Sequence, residues 1–402
     1  VSHFSIEKRI EGSLARAATL TTPHGVITTP AFVAVGTKAT VKSLTPEQVK
    51  GSGVQVVLGN TYHLYLEPGA ETVEKAGGLG TFMYWNGPTV TDSGGFQAFS
   101  LGAAYKKGIS KIAKGEAPVG EDAEPSLATV TEDGVAFKSH LDGSEHFFTP
   151  ERSIQIQHQL GADIIFAFDE CTSPHASDAY QKEAMERTHR WAVRCLTEHK
   201  KLGGEQLLFG IVQGGRVKEL REESARYLKE LCPPAGGFDG FGIGGSFNKD
   251  DLDTAVAWVN RILPEDKPRH LLGIGEPEDI VRAVMAGCDL FDCVTPTRNA
   301  RNGSLYTRVG RMNISNAKYR EDFSPIEEGC DCYTCAPRHG GGASITRAYL
   351  AHLFRAHEML AGTLATIHNL RFLTRLTEEL RAAILNDTLT EYSQKFFSTY
   401  QK

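Results

Sequence analysis

The sequence predicts an α/β fold in which strand and helix units alternate and close into a (β/α)8 TIM barrel, and three observations carry that reading. Short apolar runs of buried-strand length alternate with segments whose apolar residues recur every three or four positions. Polar residues cluster where the apolar runs stop, which favours a barrel over an open doubly wound sheet, because closure gathers the strand ends around one mouth. The 402 residues are 41% hydrophobic and 23% charged, as expected of a globular chain with one large domain and an appendage.

The first forty residues alternate short β-like runs with turns, as in residues 24–36, and read as an N-terminal hairpin or small sheet; Thr45-Pro46-Glu47 then opens a helix in the favoured N-cap and proline order. Val54 to Asn60 follows as a buried strand. Thr89 to Asp92 then runs into Ser93-Gly94-Gly95-Phe96-Gln97, and Asp163 to Phe168 into Asp169-Glu170-Cys171. Leu207 to Val212 reaches Gln213-Gly214-Gly215, Phe238 to Ile243 reaches Gly244-Gly245, and His270 to Gly275 precedes a helix from Glu278 to Ala286. Helices are expected at Glu183 to Lys200 and Lys218 to Leu231. Residues 101–147 break the rhythm and read as an insertion over the mouth, with a hairpin from Val135 to Phe148. The barrel is expected to span residues 1–327 and a C-terminal unit residues 328–402, with helix-like sequence from Ser344 to Leu385 and a frayed end.

Asp292 interrupts the apolar run formed by Leu290, Phe291, Cys293 and Val294, and a carboxylate in a buried strand needs a reason. It could be a structural Asp capping the turn at Pro296, with Arg298 and Arg301 on a solvated face. It could instead be a reactive carboxylate beside arginines that pair with phosphates or purine edges.

A net charge of −6 argues against an indiscriminate nucleic-acid coat but leaves room for local basic patches. Arg298 to Arg320 holds six basic residues and no acidic one, while Lys106, Lys107, Lys111 and Lys114 suit a solvated surface as well as RNA contact. The N-terminus has no signal-peptide pattern and no apolar run approaches membrane-spanning length, so a cytoplasmic protein is expected. In a reducing compartment, Cys330-x-Cys332-x2-Cys335 reads as one closed, structural tetrahedral zinc site, with His339, His352, His357 and His368 as candidates for the fourth ligand.

Five motifs carry a resemblance over nearly the whole chain: Thr91-Asp92-Ser93-Gly94-Gly95-Phe96-Gln97, Phe168-Asp169-Glu170-Cys171, Gly210-Ile211-Val212-Gln213-Gly214, Phe291-Asp292-Cys293-Val294-x-Pro296-Thr297-Arg298, and the cysteine cluster with Ile367-His368-Asn369. The sequence is similar to the bacterial type of tRNA-guanine transglycosylases, the base-exchange enzymes of queuosine biosynthesis. The resemblance implies an irregular barrel with a zinc-binding subdomain that replaces the wobble guanine of U-G-U anticodons without cutting the RNA. The substrates implied are the aspartate, asparagine, histidine and tyrosine tRNAs, and the enzyme implied is a cytoplasmic homodimer. Asp292 becomes the nucleophile at the ribose anomeric carbon and Asp92 the proton-transfer residue. Asp92, Ser93, Gly94, Gly95, Phe96, Asp169, Gln213, Gly244 and Gly245 would form the base pocket, with Phe96 stacking where many relatives carry Tyr. Gly273, Ile274, Gly275, Glu276, Pro277, Glu278, Asp279, Thr297, Arg298, Asn299, Ala300 and Arg301 would form the RNA-binding surface. His368 is selected as the fourth zinc ligand, and the loop before it, containing Gly340-Gly341-Gly342, is longer than in typical bacterial members.

The chemistry of these residues agrees. Breaking an N-glycosidic bond with retention needs a carboxylate below the sugar and an acid or base for the departing ring. Asp169 and Gln213 suit a guanine edge, which offers both donors and an acceptor. Extruding a base costs a few kcal/mol, less in a single-stranded loop than in a duplex, which makes loop RNA the natural substrate. After Gly244-Gly245 the sequence continues Ser246-Phe247-Asn248-Lys249-Asp250-Asp251 instead of the common bacterial pattern of small residues and a Glu. The incoming 7-deazaguanine is expected to be preQ1, with queuine as the alternative. A non-catalytic RNA-binding subunit is disfavoured by the presence of both Asp92 and Asp292, and a zinc hydrolase by the closed metal site.

Overall fold

The computed structural model describes residues 3–104, 128–173, 176–232, 237–245, 252–337 and 343–400. The lysines at 106–114, His339, the glycines at 340–342 and the altered segment 246–251 lie outside the described residues.

Eight parallel strands close the barrel: β1 (Ala31–Val35), β2 (Val56–Gly59), β3 (Thr89–Thr91), β4 (Ile164–Phe166), β5 (Leu207–Val212), β6 (Gly240–Ile243), β7 (Arg269–Leu271) and β8 (Leu290–Cys293). Closure is made by β8 on β1, with Phe291 opposite Phe32 and Asp292 opposite Val33. The barrel is irregular between β3 and β4, which share a single register pair, Val90 with Ile164. There the chain leaves the barrel for helix Gly95–Ala104 and a three-stranded antiparallel sheet, Ala128–Val130, Val135–Lys138 and Glu145–Phe148. The expected hairpin is thus two strands of that sheet.

Alternation along the strands sorts their side chains into two cores. Val33, Val35, Val56, Leu58, Val90, Phe166, Phe209 and Leu290 fill the interior, whereas Phe32, Val57, Ile165, Leu208, Phe291 and Cys293 face the helices outside. Asp292, two residues after inward Leu290, therefore shares its side of β8 and projects into the barrel at the C-terminal end.

The expected N-terminal small sheet is present and three-stranded, and residues 24–36 supply both its last strand and the first strand of the barrel. Gly25–Thr29 pairs antiparallel with Arg16–Thr22, which pairs with Phe4–Arg9, whereas Ala31–Val35 joins the barrel. Pro30 lies at the switch, where its lack of an N–H costs no ladder bond. Phe4, Ala18, Leu20 and Ile27 of this sheet pack against the barrel interior, plugging the end away from Asp292. Arg16 ties the plug down through a buried fork to Asp289, at 2.9 and 2.6 Å.

Helices alternate with the strands as expected. Thr45 caps Pro46–Gly51 in a capping box with Gln48, and Asp178–Leu202 and Lys218–Glu230 cover the two long helical patterns. The C-terminal pattern departs from expectation. It breaks into Arg347–Arg355 and Met359–Leu385, with His357 in a left-handed conformation at φ 57°, and a further helix, Leu389–Thr399, follows, while the last two residues, expected to fray, lie outside the described residues. Phe396 and Tyr400 anchor that last segment in the main core. Met359–Leu385 packs on β1 and on helix Thr295–Arg301. Among the described residues no helix is long and apolar enough to cross a membrane.

Candidate active site at the mouth of the barrel

A cavity of about 570 Å³ opens at the C-terminal ends of the strands. Asn60 follows β2, Asp92 β3, Asp169 β4, Gln213 β5, Gly244 and Gly245 β6, and Gly273 β7, and Asp292 stands on β8; all line the cavity. Parallel closure gathers these scattered positions in one place.

Asp292 is 14% exposed, and its Oδ1 accepts from His270 Nε2 at 3.0 Å and the Gly273 amide at 2.9 Å. His270 is fully buried on β7, with its ring edge-on to Phe166. An ionised carboxylate only accepts, so Nε2 carries the proton, and Nδ1 has no partner among the described residues.

Asp92 accepts from the Thr61 amide at 2.8 Å and from Asn60 Nδ2 at 2.5 Å. Burial raises its carboxyl pKa to about 6, aided by the nearby charge of Asp292 and opposed by the donors Thr61, Asn60 and Gln97. The two carboxylates therefore face one cavity, each held by two donors, and burial readies Asp92 to exchange a proton near neutral pH.

Across the cavity, Asp169 Oδ1 accepts from Ser93 Oγ at 3.0 Å and Oδ2 from Gln213 Nε2 at 2.7 Å. Gln213 Oε1 is buried with no partner among the described residues, an arrangement that leaves an acceptor for a ligand. Behind Asp169, Glu170 pairs with Arg187 and accepts from Tyr180 Oη at 2.5 Å, fixing the end of β4. Gly95 is required by close approach: a Cβ there would lie 2.7 Å from the Asp169 carbonyl oxygen. Gly245 has φ 98°, and a Cβ there would meet Arg221 Nη1 at 2.9 Å. Buried Arg221 props this wall by donating to the carbonyls of Gly244 at 3.2 Å and Gly215 at 3.1 Å. Phe96 and Ser93 line the cavity, and Gly94, at φ 79°, turns the chain between them.

The expected RNA-binding residues divide. Gly273, Ile274, Gly275, Glu276, Asp279, Arg298 and Asn299 line the cavity, whereas Pro277, Glu278, Thr297, Ala300 and Arg301 do not. Ile274, Pro277, Asp279, Thr297 and Ala300 are buried, and Ala300 packs with Leu305 and Leu350. Thr295-Pro296-Thr297 ends β8 and also opens helix Thr295–Arg301, which sets the two arginines one turn apart. Arg298 is exposed at the cavity and its guanidinium has no partner among the described residues, while Arg301 Nη1 donates to the Thr297 carbonyl at 2.9 Å.

Cys330, Cys332, Cys335 and His368 are all buried, and their ligand atoms lie within 4.8 Å of one another. His368 Nδ1 is 3.8, 3.7 and 3.3 Å from the three sulfurs, and Nε2 donates to the Tyr306 carbonyl at 2.7 Å. A tetrahedral zinc ion spaces sulfur and nitrogen ligands roughly 3.5–3.8 Å apart, so the donor set fits one metal ion with no open position. His352 and His357 take no part in this group. The barrel-end rule extends to Asn60, and the basic run Arg298 to Arg320 includes Arg311, but nothing local marked His270 or Arg221 as lying beside this site.

Comparison with known proteins agrees with this geometry. The family profile described as Queuine tRNA-ribosyltransferase matches residues 11–402. The queuine tRNA-ribosyltransferase of Caldanaerobacter subterraneus subsp. tengcongensis is 47% identical over 397 residues, covering 99% of this chain and 97% of the relative. Those of Pelotomaculum thermopropionicum, 47% identical with 99% and 98% covered, and Herpetosiphon aurantiacus, 48% identical with 96% and 90% covered, are similarly close. With the barrel, the facing carboxylates and the Cys3His group in one chain, and a match along nearly its whole length, this protein belongs to the queuine tRNA-ribosyltransferase family.

Proposed function

We propose that the protein is a tRNA-guanine transglycosylase, a pentosyltransferase that exchanges the wobble guanine of U-G-U anticodons for a 7-deazaguanine, preQ1, through a covalent aspartyl-ribose intermediate. The observation that carries this reading is the pair Asp92 and Asp292 on one cavity, facing the Asp169–Gln213 pair. His270 and the Gly273 amide orient Asp292 through Oδ1, and Oδ2, which neither touches, attacks the anomeric carbon as the bond to guanine breaks. Protonated Asp92 gives its proton to a ring nitrogen of the departing guanine. The ionised Asp92 then takes a proton from the incoming base, whose attack on the anomeric carbon frees Asp292. Two inversions give net retention. Asp169 accepts from the N–H donors of the base and Gln213 answers its polar edge, with Gly244 and Gly245 as the close wall and Phe96 as the stacking face.

The substrate is loop RNA because its guanosine leaves the stack at low cost. The metal is zinc and structural: it ties Cys330–Cys335 to helix Met359–Leu385 and takes no part in the reaction. The working unit is a cytoplasmic homodimer. Queuine is the second reading for the incoming base, favoured by the name the relatives carry. A competition of guanine, preQ1, preQ0 and queuine for insertion into a U-G-U stem-loop, read by mass spectrometry of the RNA, tests both. Predominant preQ1 insertion supports the reading, predominant queuine insertion replaces the base, and no exchange of any base refutes it.

A further inference from the structure

Arg311 stands at the rim of the cavity on a third element, the hairpin Ser304–Thr307 and Gly310–Asn313. Its cross-strand partner is Tyr306, and the guanidinium lies 5.7 Å over that ring. Arg311 pairs with Glu276, which also accepts from Tyr306 Oη at 3.0 Å. Glu276 is 13% exposed and Arg311 41% exposed, so the carboxylate is the inner partner and the guanidinium the outer one. Asn299 reaches the same Tyr306 hydroxyl at 3.5 Å, which links helix Thr295–Arg301 to the hairpin.

A carboxylate at the entrance to a cavity meant for a polyanion would repel it. Neutralised by Arg311 it becomes a brace, because a guanidinium has five N–H donors and Glu276 holds it through Nη2. Arg298, on the neighbouring helix, has no partner among the described residues. The cavity entrance thus carries two guanidiniums from separate elements, one braced and one not.

We propose that Arg311 is a phosphate-binding residue of the RNA site, acting with Arg298 on the phosphodiester next to the extruded guanosine, and that Glu276 is its positioning residue and makes no RNA contact. The inference rests on the tRNA reading above. The guanidinium lies over the Tyr306 ring at the cavity rim, where a phosphate can take two parallel N–H bonds from it.

The test is direct binding of a fluorescent U-G-U stem-loop over a salt series, beside a guanine-exchange assay and a melting curve for each variant. Loss of one phosphate contact should make the slope of log K against log salt shallower by about 0.7. Arg311→Ala is expected to show that change with about tenfold weaker RNA binding and an unchanged KM for the free base. Arg311→Lys should recover the slope but not the full affinity, and Glu276→Gln, with Arg311 still charged, should keep the wild-type slope. An Arg311→Ala protein with the wild-type slope, whatever its affinity, would overturn the proposal and leave Arg311 as a brace for Glu276. The same shallowing in Glu276→Gln would overturn the positioning role. Binding without exchange by the wild-type protein would sink the parent reading while the salt slopes stayed readable.

Discussion

Asn60→Ala should move the pH dependence of guanine release in a direction set by one hydrogen bond. Burial holds the Asp92 carboxyl at about 6 against a usual value of 3.8, with Asn60 and Thr61 pulling it down. A carboxyl at 6 is roughly one tenth protonated at pH 7, about 150 times more than one at its usual value would be, so enough acid is present to protonate the leaving base. The single-turnover rate of adduct formation should therefore be flat below about pH 6 and fall about tenfold per unit above it. Asn60 donates to the ionised form at 2.5 Å, and a bond of this charged kind contributes about 1.5–3 kcal/mol. Removing it favours the protonated carboxyl and should shift the limb to higher pH by about one unit or more. Quenched-flow measurement of RNA adduct from pH 5 to 9 reads the limb directly. A limb that stays in place in Asn60→Ala, or that survives in Asp92→Asn, would refute the assignment of this proton to Asp92. The same group affects stability. Because the folded carboxyl binds its proton more tightly than the unfolded one, its contribution is greatest at low pH and declines as pH rises from about 3.8 to about 6.

Three further outcomes follow from the geometry. Protein purified without chelator should contain one zinc per chain, and Cys332→Ser should melt earlier while retaining most of its turnover at low temperature; metal analysis that finds none would contradict the structural site. Gly245→Ala should raise KM for the free base about tenfold or more with little effect on RNA binding, since its φ of 98° strains any side chain and a Cβ would push against Arg221, which props this wall; an unchanged base KM would remove Gly245 from the pocket wall. Arg298→Ala should weaken RNA use, whereas Arg301→Ala should mainly lower stability, because Arg301 is tied to the Thr297 carbonyl; equal losses of RNA affinity would mean that helix Thr295–Arg301 turns on binding.

The strand ends were legible because buried strands are short apolar runs and the residues that break them are local in sequence. Asp92, Asp169, Gln213 and Asp292 all announce themselves in this way. His270 does not, because its meaning depends on β7 lying beside β8, with His270 in register with Leu290. Arg221 and Arg311 reach the site from a helix and a hairpin, through contacts that no local pattern encodes. The same limit explains where the fold exceeds the sequence pattern. Residues 24–36 have one β-like pattern but two sets of partners, and helix Leu389–Thr399 is held by Phe396 and Tyr400 docking in a distant core. The break at His357 is a single left-handed residue, which apolar periodicity does not register. The metal group was legible as a cysteine cluster, but choosing His368 took the family pattern, and folding of helix Met359–Leu385 brings it to the sulfurs.

The central claim is that Asp292 attacks the ribose, and the direct measurement is denaturing electrophoresis of the protein quenched with a labelled U-G-U stem-loop. Wild-type protein should give a covalent protein–RNA band that disappears when excess base is added before the quench. Asp292→Asn should bind the stem-loop and give no band. A band of wild-type intensity from Asp292→Asn, or exchange by the wild type through a route that never yields a band, would contradict it.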